Sequence, residues 1–278
     1  MKQKLAICLL GLLPALGLCR EIPGALNGVW ATPNCATPTD TLVIFRSFYL
    51  WLGDDETALN GLTMPDAQPD GWTRLEEPDG YPNFFNVLPD GRMRESFLPD
   101  NADMSESPAA EWQTTDYENC GGALPRSKVL LHGEPVAVMK VISDTQGQCP
   151  VDRQACANKL FAGVDVSGDD NLSVAEIARL FRVAGYVATV SQDVPANNDE
   201  LASVAAASLP VAPLMASAIV SSFDYNDDGV LSMRELTQDR GTLFDQLDSS
   251  AGTDLNSRLN QMKEALEPLG RLLENLGR

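Results

Sequence analysis

The sequence predicts an α+β chain: a small, mostly antiparallel β region, then a helical region, then a terminal helix. Three observations carry this. From about Pro23 to Ser143, short β-branched and aromatic runs alternate with Gly-, Pro- and Asp-rich breaks. Near Pro150 the texture switches to apolar residues at helical spacing. In the last stretch Leu255, Leu259, Met262, Leu266, Leu269, Leu273 and Leu276 alternate steps of four and three, a heptad-like seam that Pro268 interrupts. The expected divisions are residues 1–19, 20–145, 146–246 and 247–278.

Within the β region, Thr41–Leu52 reads as a strand bounded by the acidic Gly53–Gly61 stretch. Phe84–Phe97 reads as a hairpin, with Pro89 setting the turn and Gly91 taking a positive φ. Lys128–Ile142 reads as two more strands around Gly133 and Pro135. Trp30, Trp51, Trp72 and Trp112 are expected in core and edge packing. Barrel and sandwich remain equally open. In the helical region the uncharged, Ala-rich run Leu201–Phe223 is long enough for a membrane span, but Pro210 and Pro213 divide it. The expectation is two buried helices and no span in the mature chain.

The formal charge is −19 over 278 residues, which excludes binding of a nucleic-acid backbone through basic contacts and favours a cation-attracting surface. Apolar residues make up 44%, enough for a packed core. Residues 1–19 have the layout of a secretory signal: Lys2 and Lys4, a short apolar run, then small residues, with cleavage after Gly17 or Cys19. Leu18 stands where a lipoprotein signal carries a small residue. Export implies oxidised cysteines. Cys149 and Cys156 flank a helix start and are expected to pair, leaving Cys35 with Cys120. The lysine-led signal points to a periplasmic or secreted protein.

Two stretches carry chemistry. In Asp224–Glu235 (DYNDDGVLSMRE), oxygen-bearing side chains recur at Asp224, Asn226 and Asp228. Gly229 permits a sharp turn, Val230 offers its carbonyl, Ser232 follows, and Glu235 closes the set. Calcium is a hard cation that takes about six to eight oxygens, and a short loop wraps it only by turning midway. Asp165–Glu176 (DVSGDDNLSVAE) repeats the pattern with Asp165, Ser167, Asp169, the Asn171 carbonyl, Ser173 and Glu176. Leu172 and Leu231 occupy the position where sister loops pair as short strands. Upstream, Ala157, Leu160, Phe161 and Val164 fall on one helix face, as do Ala216, Ile219, Val220 and Phe223. Ile177, Leu180, Phe181 and Ala184 do so downstream of the first loop.

On these residues the region 152–240 resembles an EF-hand pair. The resemblance implies two helix–loop–helix units and two Ca2+ ions, held by the twelve residues just named. It departs from the family pattern at Asp170, where glycine is usual, and at Ser167, where a carboxylate is usual, so the first site is expected to be the weaker. Asp239 and Arg240 break the apolar face of the second exiting helix. That favours a structural role for calcium over a sensing one.

The function expected is therefore an exported, non-enzymatic calcium-binding protein, with a possible protein partner at the β domain or C-terminal helix. No nucleophile, zinc or phosphate-loop motif occurs, and His132 is the single histidine. The alternative is a calcium-stabilised envelope hydrolase or adhesin whose site lies in the β domain.

Overall fold

The computed structural model describes residues 22–238, apart from residues 47, 62–64, 69–70, 77–80, 100–102, 104–106, 110–111, 147–151 and 192–193. The signal-like residues 1–19, Cys149, Asp239, Arg240 and the seam 255–276 therefore lie outside the described residues. The strands are β1 Gly28–Thr32, β2 Asp40–Ile44, β3 Phe48–Leu52, β4 Glu56–Gly61, β5 Asp66–Ala67, β6 Thr73–Glu76, β7 Pro82–Val87, β8 Met93–Ser96 and β9 Thr114–Asn119. Short strands β10 Asn171–Leu172, β11 Ala196–Asn197 and β12 Leu231–Ser232 follow among the helices. The helices are α1 Arg126–Gln146, α2 Arg153–Val164, α3 Val174–Val190, α4 Asn198–Phe223 and α5 Met233–Thr237. The α+β class is as expected, with an antiparallel sheet followed by helices; the expected terminal helix lies outside the described residues.

The sheet is an antiparallel meander in the order β11-β4-β3-β2-β1-β9-β8-β7-β6-β5. The chain steps outward from β1 to β4, restarts at the far edge with β5, and steps back until β9 pairs with β1 through Trp30↔Asn119 and Ala31↔Glu118. Side chains alternate across each strand, which gives the sheet two apolar faces. Trp30, Leu42, Ile44 and Tyr49 from one half pack with Leu75, Phe85, Met93 and Tyr117 from the other. On the opposite face Val29, Val43, Leu50, Leu52 and Leu59 meet Val136, Met139, Tyr186, Val190 and Leu201 of the helices. One apolar cluster thus joins β1–β4 to α1, α3 and α4. The disulfide Cys35–Cys120 ties the loop after β1 to the end of β9. Cys156 is disulfide-bonded too, its partner lying outside the described residues.

Three local expectations are corrected. Thr41–Leu52 is a hairpin, β2 paired with β3 through Ile44↔Tyr49, and part of the acidic stretch after it is itself strand β4. Lys128–Ile142 is helical, not two strands. Its inward positions Lys128, His132, Val136, Met139 and Ser143 are buried at steps of four and three. Because Lys128, His132 and Ser143 are polar, an apolar periodicity does not reveal them. The Ala-rich run forms a single helix, α4, through Pro210 and Pro213. It buries only Leu201, Ala212, Ala216 and Val220, while Leu209, Val211 and Leu214 are exposed. By length and composition alone α4 would also suit a membrane crossing. The hairpin at Gly91 forms as expected, with Gly91 at φ 85° between β7 and β8.

Helix α1 lies along β3. Lys128 Nζ donates to Gly53 O at 2.5 Å, just past the end of β3. Ser143 Oγ accepts from Arg46 N at 3.0 Å, just before its start. The helical rise between Lys128 and Ser143 is about 22 Å. The strand between Arg46 and Gly53 spans about 23 Å. The two elements are matched in length and run antiparallel.

His132 is 2% exposed, and its Nδ1 lies 2.8 Å from the Tyr186 hydroxyl. Burial, and then the nearby Lys128 ammonium, push its pKa down from 6.5 to about 4. Between these values the unfolded chain takes up a proton that the folded chain refuses. Stability therefore falls as pH drops from 6.5 to 4, by at most about 3 kcal/mol. Melting temperature against pH should show this arm in the wild type and a flatter profile in His132→Gln.

Candidate functional site

The two loops named from sequence lie side by side. Strand β10 pairs with β12 through Asn171↔Ser232 and Leu172↔Leu231, and both leucines are buried. Around them Ile177, Ala212, Ala216 and Val220 form a separate apolar cluster, with Phe161, Val164, Phe181, Ile219 and Phe223 packed against it. The predicted inward faces of the two helices that lead into the loops supply most of these residues. Helix α3 differs on one point. Ala184 is exposed, and the helix instead turns Val183, Tyr186 and Val190 inward, with Tyr186 and Val190 on the sheet.

Each loop closes on its own carboxylates. Asp165 Oδ1 accepts from Gly168 N at 2.6 Å, and its Oδ2 from Asp170 N at 2.8 Å. The corresponding Asp224 accepts from Asp228 N at 3.1 Å and Gly229 N at 2.7 Å. Asp169 and Asp228 each accept from the N–H two residues on, of Asn171 and Val230. Both loops turn through positive φ at their fourth and sixth residues: Gly168 (71°) and Asp170 (61°), then Asp227 (62°) and Gly229 (82°). Glycine and aspartate have exchanged places between the two copies. The same conformation is therefore reached in each with one residue suited to it and one that tolerates it.

The closing glutamates are buried and cap the following helices. Ser173 and Glu176 form a reciprocal capping box at the start of α3. Glu176 Oε1 accepts from Val166 N and Ser167 N, and Oε2 from Ser173 N and Oγ, at 2.7 to 2.9 Å. Burial opposes its ionisation, but these donors outweigh it and bring its pKa from 4.5 to about 2. In the second loop Glu235 Oε2 accepts from Ser232 N at 2.9 Å and Oγ at 2.7 Å. Its Oε1 is buried with no geometrically complete hydrogen bond. Hydrogen bonds from Ser232 chiefly lower the Glu235 pKa, against a smaller opposing effect of burial; the N–H groups of Asn226 and Tyr225 contribute less.

Loop 165–176 thus carries Asp165, Ser167, Asp169, Asn171, Ser173 and Glu176 along its length. Loop 224–235 carries Asp224, Asn226, Asp228, Val230, Ser232 and Glu235. Among the described residues no three His, Cys, Asp or Glu side chains converge as a metal-holding group. The carboxylates are instead engaged by loop N–H groups.

Two features beside the first loop escape the sequence pattern. Gly163, two residues before Asp165, packs directly on Val141 of α1, and a methyl group there would overlap that side chain. A glycine inside an apolar helical run is the available signal for such a close approach. Glu134 of α1 is bonded by Arg182 Nε of α3 at 3.0 Å, with Arg179 Nε 3.8 Å away. Nothing in the spacing of charges marks that pair.

No family model matches the chain, no curated protein matches it, and no solved structure matches it.

Replacing Gly163 by Ala should cost about 1–3 kcal/mol by forcing α2 off α1. Thermal melts should show a lower midpoint for G163A, partly restored when Val141 is also shortened to Ala. Additive losses in the double variant would show that the contact does not matter.

Proposed function

We propose that this chain is an exported calcium-binding protein whose loops 165–176 and 224–235 each hold one Ca2+ ion in a structural role. The observation that carries this reading is the pairing of the two loops through β10 and β12, each loop closed by a buried glutamate. A buried carboxylate needs close partners, and here each one would complete an oxygen set for a hard cation. The all-oxygen chemistry of both sets suits calcium over softer metals. Bound calcium would offset repulsion among the carboxylates of each loop and link the helices on either side. The disulfide Cys35–Cys120 suits an oxidising compartment, and a periplasmic or secreted location fits it together with the signal-like N-terminus.

The paired β10 and β12 support two coupled sites rather than two independent loops. Val230 would ligate through its carbonyl, as would Asn171; Ser173 and Ser232 would ligate directly or through water. Extracellular modules of this kind have dissociation constants of about 0.1 to 1 mM. At free calcium about a hundredfold above its dissociation constant each site would add about 2.7 kcal/mol of stability.

Calorimetric titration of the chelated protein at fixed ionic strength should give two calcium sites. Glu235→Gln and Glu176→Gln should each remove one, and the pair should abolish both. Undiminished binding by the double variant would refute the ligand assignment.

A further inference from the structure

Helix α1, which the loop pattern does not include, touches both helices that flank the first loop. Toward α2, Val141 meets Gly163 with no room for a methyl group, and Lys159 Nζ donates to Asp144 O at 2.9 Å. Toward α3, Glu134 takes Arg182 and Arg179, and His132 pairs with the Tyr186 hydroxyl. On its other side α1 is fixed to the sheet at Gly53 and Arg46. The loop between α3 and α4 is fixed to the same sheet. Strand β11 pairs with β4 through Ala196↔Thr57, and Asn198 donates to Asp55 O at 2.9 Å and Asp54 O at 2.6 Å.

Opening a helix–loop–helix unit on calcium binding requires its two helices to change angle by tens of degrees. At loop 165–176 that change would separate Gly163 from Val141 or Arg182 from Glu134, and would pull Tyr186 out of the sheet's apolar cluster. We infer that α1 is a clamp across the first loop's two helices, through which calcium at 165–176 stabilises the sheet instead of opening an apolar groove. This rests on the calcium reading given above. Glu134, Val141 and Gly163 are positioning residues in it, since none of them supplies an oxygen to the loops.

The tryptophans make the coupling measurable. Trp30, Trp51, Trp72 and Trp112 all precede α1, so their fluorescence reports the β region, whereas far-ultraviolet dichroism is dominated by the helices. Thermal melts of the full chain with calcium and with chelator should show both signals shifting upward together by the same amount. In Glu134→Lys, which sets a cation against Arg179 and Arg182, calorimetry should still count two calcium sites. The calcium-induced shift of the tryptophan signal should then fall by at least half. A wild-type shift confined to the dichroism signal would overturn the clamp and leave the calcium reading standing. An unaltered tryptophan shift in the variant would do the same. Absence of any calcium heat would overturn both. The wild-type comparison decides the matter even if the variant does not fold.

Discussion

Burying the ammonium of Lys128 constrains everything around it. A buried charge is tolerated only with close partners, and Lys128 finds them in one turn: Gly53 O at 2.5 Å and the Asp54 carboxylate at 3.8 Å. That turn joins β3 to β4 and offers three carbonyls in a row. Gly53 takes the start of α1, while Asp54 and Asp55 take Asn198 at the start of α4. Two helices far apart in sequence are thereby brought to one sheet end. Gly53 itself has no space for a side chain, since a Cβ would strike the Trp51 ring. The same ammonium adds to the burial that keeps His132 neutral.

From that turn the rest of the helical layer follows. With α1 held at Gly53 and again at Arg46, its inward residues Val136 and Met139 are laid over Val43, Leu50 and Leu52. Tyr186 and Val190 of α3 fill the remaining apolar space of that face. The loops then sit at the ends of helices already fixed elsewhere. Their geometry is the outcome of helix placement as much as of their own residues.

The loops were legible because their backbone dictates residue type position by position. An Asp must accept from N–H groups ahead of it, a residue at positive φ must be Gly or Asp, and a Glu must reach back to cap its helix. The Gly91 hairpin was legible for a like reason. Helix α1 was hidden because three of its inward positions are polar and satisfied only by distant partners, Gly53, Tyr186 and Arg46. The single helix α4 was hidden because Pro210 and Pro213 break only local hydrogen bonds, while Ala212, Ala216 and Val220 pack on neighbours that keep the axis continuous. Both misreadings come from tertiary contacts that local pattern does not contain.

The two copies of the loop differ where their closing glutamates meet the surroundings. Glu176 takes four donors from its own loop, whereas Glu235 takes two from Ser232 and weaker contributions from the N–H groups of Asn226 and Tyr225. A cation drawn to the first loop must compete with hydrogen bonds already made. In the second it would compete with fewer close ones. Charge does not separate the copies, since Ser167 and Asn226 are both neutral and each set holds three carboxylates. On the calcium reading proposed above, the 224–235 loop would have fewer hydrogen bonds to give up on binding an ion. The β10–β12 ladder holds Leu172 against Leu231 and so joins the two loops through their backbones.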